Sequence, residues 1–98
     1  MYYGFEWDPE KAKTNRAKHG LTFEQAATVF LDPNQVSIYD ETHSDPEERW
    51  ITLGAASDGL LTVVVHTYRE IEPDTVRIRI ISARRATRSE RQQYQEFE

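Results

Sequence analysis

"RIRIISARRATRSER", residues 77–91, places six arginines in fifteen positions of a chain whose net charge is −5. Its first part alternates as a half-buried strand does, predicting a final strand over residues 76–83. Val76, Ile78 and Ile80 then point to one face, and Arg77, Arg79 and Ile81 to the other. With the apolar set against a helical layer, Arg77 and Arg79 stand on the open face of a sheet. Arg84 and Arg85 follow at the strand's end. "TRSE" (87–90) reads as a capping box that opens a short C-terminal helix carrying Tyr94 and Phe97, with Arg88 and Arg91 one turn apart.

The preceding segments supply the rest of that sheet. "RWITLGAA" (49–56), the turn "SDG" and "LLTVVVHTY" (60–68) predict a hairpin whose second strand, apolar on both faces, is central. "QVSIY" (35–39) and "YYGFEW" (2–7) predict two further strands. "REIEPDT" (69–75), interrupted by Pro73, reads as a loop.

Two helices lie between the first two strands. "DPEKAKTNRAKHG" has Asp8 as N-cap, Pro9 at the first helical position, Glu10 in the first turn and Gly20 as terminator. Asp8, Ala12, Asn15 and His19 share one stripe of this helix, which has little apolar content. In "TFEQ" Thr22 and Gln25 form a second capping box. Phe23, Ala26, Ala27 and Phe30 then mark one apolar face, and "LDPN" (31–34) ends the helix. The order β-α-α-β-β-β-β-α predicts an α+β domain over residues 1–98. Its sheet is mainly antiparallel, with both N-terminal helices packed on one face and a short helix at the C-terminus.

Charge is segregated along the chain. Residues 1–18 sum to +1, residues 19–68 to −7 with Arg49 their one Lys or Arg, and residues 69–98 to +1. The stretch 77–91 alone carries +5. The bulk balance argues against a nonspecific polyanion binder, whereas the local arginines suit a phosphate site. The absence of cysteine rules out disulfides and thiolate metal sites. No apolar run has the length of a membrane span, and "MYYGFEWDPEK" lacks the form of a signal peptide, so a cytoplasmic protein with no membrane partner is expected.

Guanidinium groups stay charged and bind phosphate oxygens bidentately, so a row of them on a sheet could cradle an RNA backbone. The same arginines could instead pair with Glu70, Glu72, Glu90 or the acids of 40–48 as a solvated face. Lys18 and His19 end a helix, where cations meet the negative end of the dipole whether or not they have a function. His19 could also exchange protons near neutral pH. His43 reads as a solvated loop residue and His66 as a satisfied sheet residue. Three dispersed histidines make no metal site. P-loop, GxGxxG, GxSxG and HExxH motifs are all absent, so no cofactor is expected.

The blocks "FEWDPEKAKTNRAKHGLTFEQAATVF", "EERWITLG" and "RIRIISARRATRSERQQY", in this order and spacing, resemble the BrnT family of bacterial type II toxins. The resemblance implies a RelE-like fold and a ribonuclease that inhibits translation. It also implies neutralisation by a BrnA-type antitoxin in a hetero-oligomer such as two toxins with two antitoxins, operator DNA being touched only by the antitoxin. Lys18, His19, Arg49, Arg69, Arg79, Ser82, Arg84, Glu90 and Tyr94 match the family blocks. Metal-free cleavage needs a base for the 2′-OH, cations for the phosphate and an acid for the leaving 5′-oxygen. The expected catalytic set is His19, Lys18, Arg69, Arg79 and Arg84. Arg77, Arg85, Arg49 and Ser82 are expected to bind RNA phosphate, and Asn15, Glu90 and Tyr94 to support them. The segment "EIEPDT" departs from the tight turn expected after Arg69. The competing expectation is a non-catalytic module that binds an antitoxin as co-repressor.

Overall fold

Elements in chain order are β1 (Tyr2–Glu6), α1 (Pro9–His19), α2 (Phe23–Ala27), β2 (Val36–Tyr39), β3 (Trp50–Ala55), β4 (Leu61–Glu72), β5 (Thr75–Arg85) and α3 (Arg88–Glu96). This is a computed structural model, and it describes residues 2–44 and 47–96. Phe97, expected on the last helix, lies outside the described residues. The five strands form one sheet in the order β1-β5-β4-β3-β2. All pairings are antiparallel except β1 with β5.

Local chemistry sets the helices. The Asp8 carboxylate accepts from the Glu10 N–H at 2.9 Å, and Gly20 terminates α1 at φ 66°. At α2, Thr22 and Gln25 satisfy each other's backbone N–H groups, as the capping box predicts. The apolar spacing after it continues, but the backbone tightens into a 3₁₀ turn over Thr28–Leu31. That turn buries Val29 together with Phe30. Asp32 halts it: its carboxylate accepts from the N–H groups of Asn34 at 2.9 Å and Ala55 at 2.7 Å and from the Tyr94 hydroxyl at 2.7 Å.

The core joins one sheet face to these helices: Leu21, Phe23, Ala26, Val29 and Phe30 against Val64, Val76, Ile78, Ile80 and Ala83. Each large side chain buried there contributes about 1.5–3 kcal/mol. Helices α1 and α2 both pack on β5, while α3 meets β3.

Two expectations for the last hairpin need correction. Residues 69–75 form no loop. Strand β4 continues to Glu72, and only Pro73 and Asp74 separate it from β5. Strand pairing wins over the polar composition because the extension projects past the helices, where neither face needs to be apolar. The alternation along β5 also changes phase. Val65 pairs with Ser82 but His66 with Ile80, so Ile81 is an extra residue without a partner on β4. The bulge turns Ala83 inward and Arg84 outward; without it Ser82 and Arg84 would face the core. No helix among the described residues is long and apolar enough to cross a membrane.

Candidate functional site

Strand register fixes the face opposite the helices. Arg69 on β4 is directly across from Arg77 on β5, Thr67 is across from Arg79, and Glu6 of β1 lies beside Arg79. These side chains, with Glu47 and Glu48 of the β2–β3 connection, line a cleft of about 210 Å³. Arg79 is ion-paired with Glu47. Arg69 and Arg77 are exposed and make no ion pair or side-chain hydrogen bond among the described residues. Like charges directly opposite each other in adjacent strands destabilise a sheet, so this pair opposes folding. Such an arrangement suits a face that takes up anions.

A second groove, about 420 Å³, follows along β5 where α1 crosses it. Lys18 and His19 from the exposed end of α1 line it together with Ser82, Ile81 and Asn15. From Arg79 to Ser82 is three positions, roughly 10 Å of strand. The two grooves are thus consecutive on one strand.

The remaining candidates are engaged elsewhere. Arg84 forks onto Glu90, with contacts of 2.7 and 2.9 Å. Hydrogen bonding from Arg84 holds the Glu90 carboxyl at about 2, against the opposing effect of partial burial. The same contact raises Arg84 further above its ordinary value. Arg85 bonds Asp58 at 2.6 Å and Thr62 at 2.8 Å. Both arginines therefore tie the strand end to neighbouring elements. Arg49 begins the approach to β3, its backbone N–H donating to Ser44 Oγ and its carbonyl accepting from Asp40. Tyr94 is buried and anchors α3 to Asp32.

Asn15 is not part of a polar stripe reaching outward. It is buried, and its carboxamide donates to the carbonyls of Ala83 at 2.8 Å and Leu21 at 3.3 Å while accepting from the Ala83 N–H at 3.1 Å. It acts as a one-residue strand on the stretch of β5 that β1 does not reach. It also fixes α1, and hence Lys18 and His19, relative to Ser82.

His66 is buried, and burial lowers its pKa against a partly compensating bond to the Thr67 carbonyl. Nδ1 is 3.0 Å from that carbonyl and Nε2 2.7 Å from Thr52 Oγ1, leaving both nitrogens satisfied. His43 bonds Asp40 at 3.0 Å. No group of three or more His, Asp or Glu side chains among the described residues is placed to hold a metal ion.

Glu6 at the arginine cleft was not anticipated, whereas Glu47 and Glu48 belong to the acids of 40–48 that the sequence offered as partners for these arginines. Alternation of β1 could have placed Glu6 on that face, but nothing local in the sequence brings Glu47 onto Arg79. Asp32 was read only as a helix stop. An Asx turn is expected of Asp-Pro-Asn, but not the bonds from Ala55 and Tyr94.

The architecture, helices on one face of a five-stranded sheet, is shared with a solved structure. The 1.1 Å crystal structure of the Brucella abortus ribonuclease toxin, BrnT, superposes with a TM-score of 0.60 over 90% of this chain and 100% of that one, at 23% sequence identity. The family model described as ribonuclease toxin, BrnT, of type II toxin–antitoxin system matches residues 7–90, and the chain belongs to that family. A search of curated proteins gave no match. Family membership implies an RNA substrate and an antitoxin partner.

Proposed function

We propose that this chain is a metal-independent endoribonuclease on a RelE-like fold that arrests translation in the bacterial cytoplasm and is held inactive by a BrnA-type antitoxin. The observation that carries this reading is the Arg69–Arg77 pair, two guanidinium groups held opposite each other in a cleft with neither in an ion pair among the described residues.

In this reading Arg69, Arg77 and Arg79 bind the RNA backbone, Arg79 exchanging Glu47 for phosphate. Fixed cations beside the scissile phosphate stabilise the charge that builds on its oxygens during attack by the 2′-OH. Lys18 and His19 lie in the next groove, where His19 moves the proton at the 2′-oxygen or the leaving 5′-oxygen and Lys18 and Ser82 position the substrate. Arg84 and Arg85 support the strand end rather than the phosphate. Operator DNA is contacted through the antitoxin.

Cleavage of a generic single-stranded RNA in the presence of EDTA tests this. Arg69→Ala, Arg79→Ala and His19→Ala should each slow cleavage by about 10²-fold or more. Undiminished rates in all three overturn the site, and a requirement for added Mg²⁺ overturns the metal-free mechanism. A soluble protein that neither cleaves RNA nor arrests growth, yet binds the product of the neighbouring gene, would be the antitoxin-binding module instead.

A further inference from the structure

The face that carries the helices is only partly covered by them. Beyond their edge an aromatic band crosses the sheet from β1 to β2. Tyr3 and Phe5 lie against Phe30, which stacks edge-on over His66 with centroids 4.8 Å apart. Tyr68 pairs in register with Ile78, and Tyr39 with Trp50, so both belong to this face. Tyr3, Phe5, Tyr39 and Tyr68 remain 41, 37, 40 and 48% exposed. Between them Ser37, Trp50, His66 and Tyr68 line a cavity of about 150 Å³, a size for one apolar side chain. Its floor is rigid: Ser37, Thr52 and His66 form a hydrogen-bonded row across three strands. A contiguous exposed aromatic patch of this kind marks an interaction surface.

The charge around the band selects the partner. Glu70, in register with Val76, is exposed on this face, and the exposed Glu41 lies two residues beyond Tyr39. The arginines Arg69, Arg77 and Arg79 are on the opposite face. A second copy of the chain would bring the same acids and a net charge of −5, giving like-charge repulsion. A segment with an apolar stripe flanked by Lys or Arg is complementary in both respects.

We propose that this aromatic band is the docking surface for the antitoxin, through an amphipathic segment that inserts one apolar side chain beside Trp50 and Tyr68 and sets basic residues against Glu70 and Glu41. This rests on the reading that the chain pairs with an antitoxin, and it places that contact on the face opposite the RNA cleft.

The test titrates the full-length chain with the purified product of the neighbouring gene. Tyr39→Ala and Glu70→Lys, neither of which lines the arginine cleft, should each weaken the complex by about tenfold or more. They should still cleave RNA at the wild-type rate and resist inhibition. Arg77→Glu should bind the antitoxin as the wild type does. Wild-type affinity in both band variants, or loss of binding confined to Arg77→Glu, overturns the docking surface while leaving the antitoxin reading intact. Failure of the wild-type chain to bind overturns that reading and this one together. Concentration-dependent dimerisation of the wild type alone, abolished by Tyr39→Ala, would assign the band to a second copy and overturn the proposal.

Discussion

The Asn15 side chain closes both backbone groups of Ala83, 68 positions away, and so completes β5 where its neighbouring strand has ended. One carboxamide thereby does three things. It protects a strand edge, anchors a helix with almost no apolar face, and sets the distance between the helix end and Ser82.

Asn15→Leu keeps the branched shape, with somewhat greater bulk, and removes both polar atoms of the side chain. The Ala83 N–H and the carbonyls of Ala83 and Leu21 lose that bond in a buried site, at an expected cost of about 2–4 kcal/mol. Urea unfolding measures it. A loss below ~1 kcal/mol would mean that water replaces the carboxamide and that the edge is open.

Gly54 tests the packing around Asp32. A Cβ there would lie 2.9 Å from Val29 Cγ1 and 3.2 Å from Asp32 Oδ2, inside the core and against the carboxylate that accepts from Ala55 and Tyr94. Gly54→Ala should cost about 1–3 kcal/mol, lowering Tm by roughly 4–8 °C for each kcal/mol. A calorimetric scan of an unchanged Tm would mean that the 3₁₀ turn shifts freely.

The Arg84–Glu90 pair predicts a pH dependence. The Glu90 carboxyl is lowered from 4.5 to about 2 in the fold. Its contribution is therefore full above pH 4.5 and declines as pH falls through that window towards 2. Arg84 is 43% exposed, so solvent screening leaves about 1 kcal/mol at neutral pH. Glu90→Gln retains an acceptor for the Thr87 N–H and isolates the ion pair. Its stability deficit relative to wild type should shrink below pH 4.5 and be constant above pH 6. A deficit independent of pH would remove the electrostatic account.

What could be read from the chain, and what could not, divides by range. Asp8, the Thr22–Gln25 box, the Thr87–Glu90 box and Gly20 act within a few residues, and each is where its spacing predicts. Alternation also placed Arg77 and Arg79 on the open face. It failed after Ile80, because a bulge at Ile81 depends on how β4 pairs and leaves no local mark. The β4 extension was read as a loop because Glu70, Glu72 and Pro73 resemble breakers wherever a strand must bury a face. That error hid the site's main feature, since only the extended ladder puts Arg69 across from Arg77. The partners of Arg85 and Asn15 are tertiary. Glu90 and the acids of 40–48 were candidate partners, but charge patterning alone could not tell which arginines they take, nor that Arg69 and Arg77 form no ion pair among the described residues.

The Arg69–Arg77 juxtaposition yields the sharpest prediction, because stability and function should move in opposite directions. Arg77→Thr removes the repulsion and installs a residue that favours strands. Arg77→Glu converts the repulsion into an attraction across the same register. Each should stabilise the protein by about 0.2–1 kcal/mol, with the Glu variant gaining more and losing that advantage in high salt. The same substitutions should weaken binding to single-stranded RNA and reduce the magnitude of its log–log salt slope by about 0.7, the mark of one lost phosphate contact. A control at Arg88, exposed on α3 and outside the cleft, should change neither quantity. If Arg77→Thr leaves both stability and the salt slope at wild-type values, the two guanidiniums are already dispersed in solvent, and the arginine face loses its claim as the phosphate site.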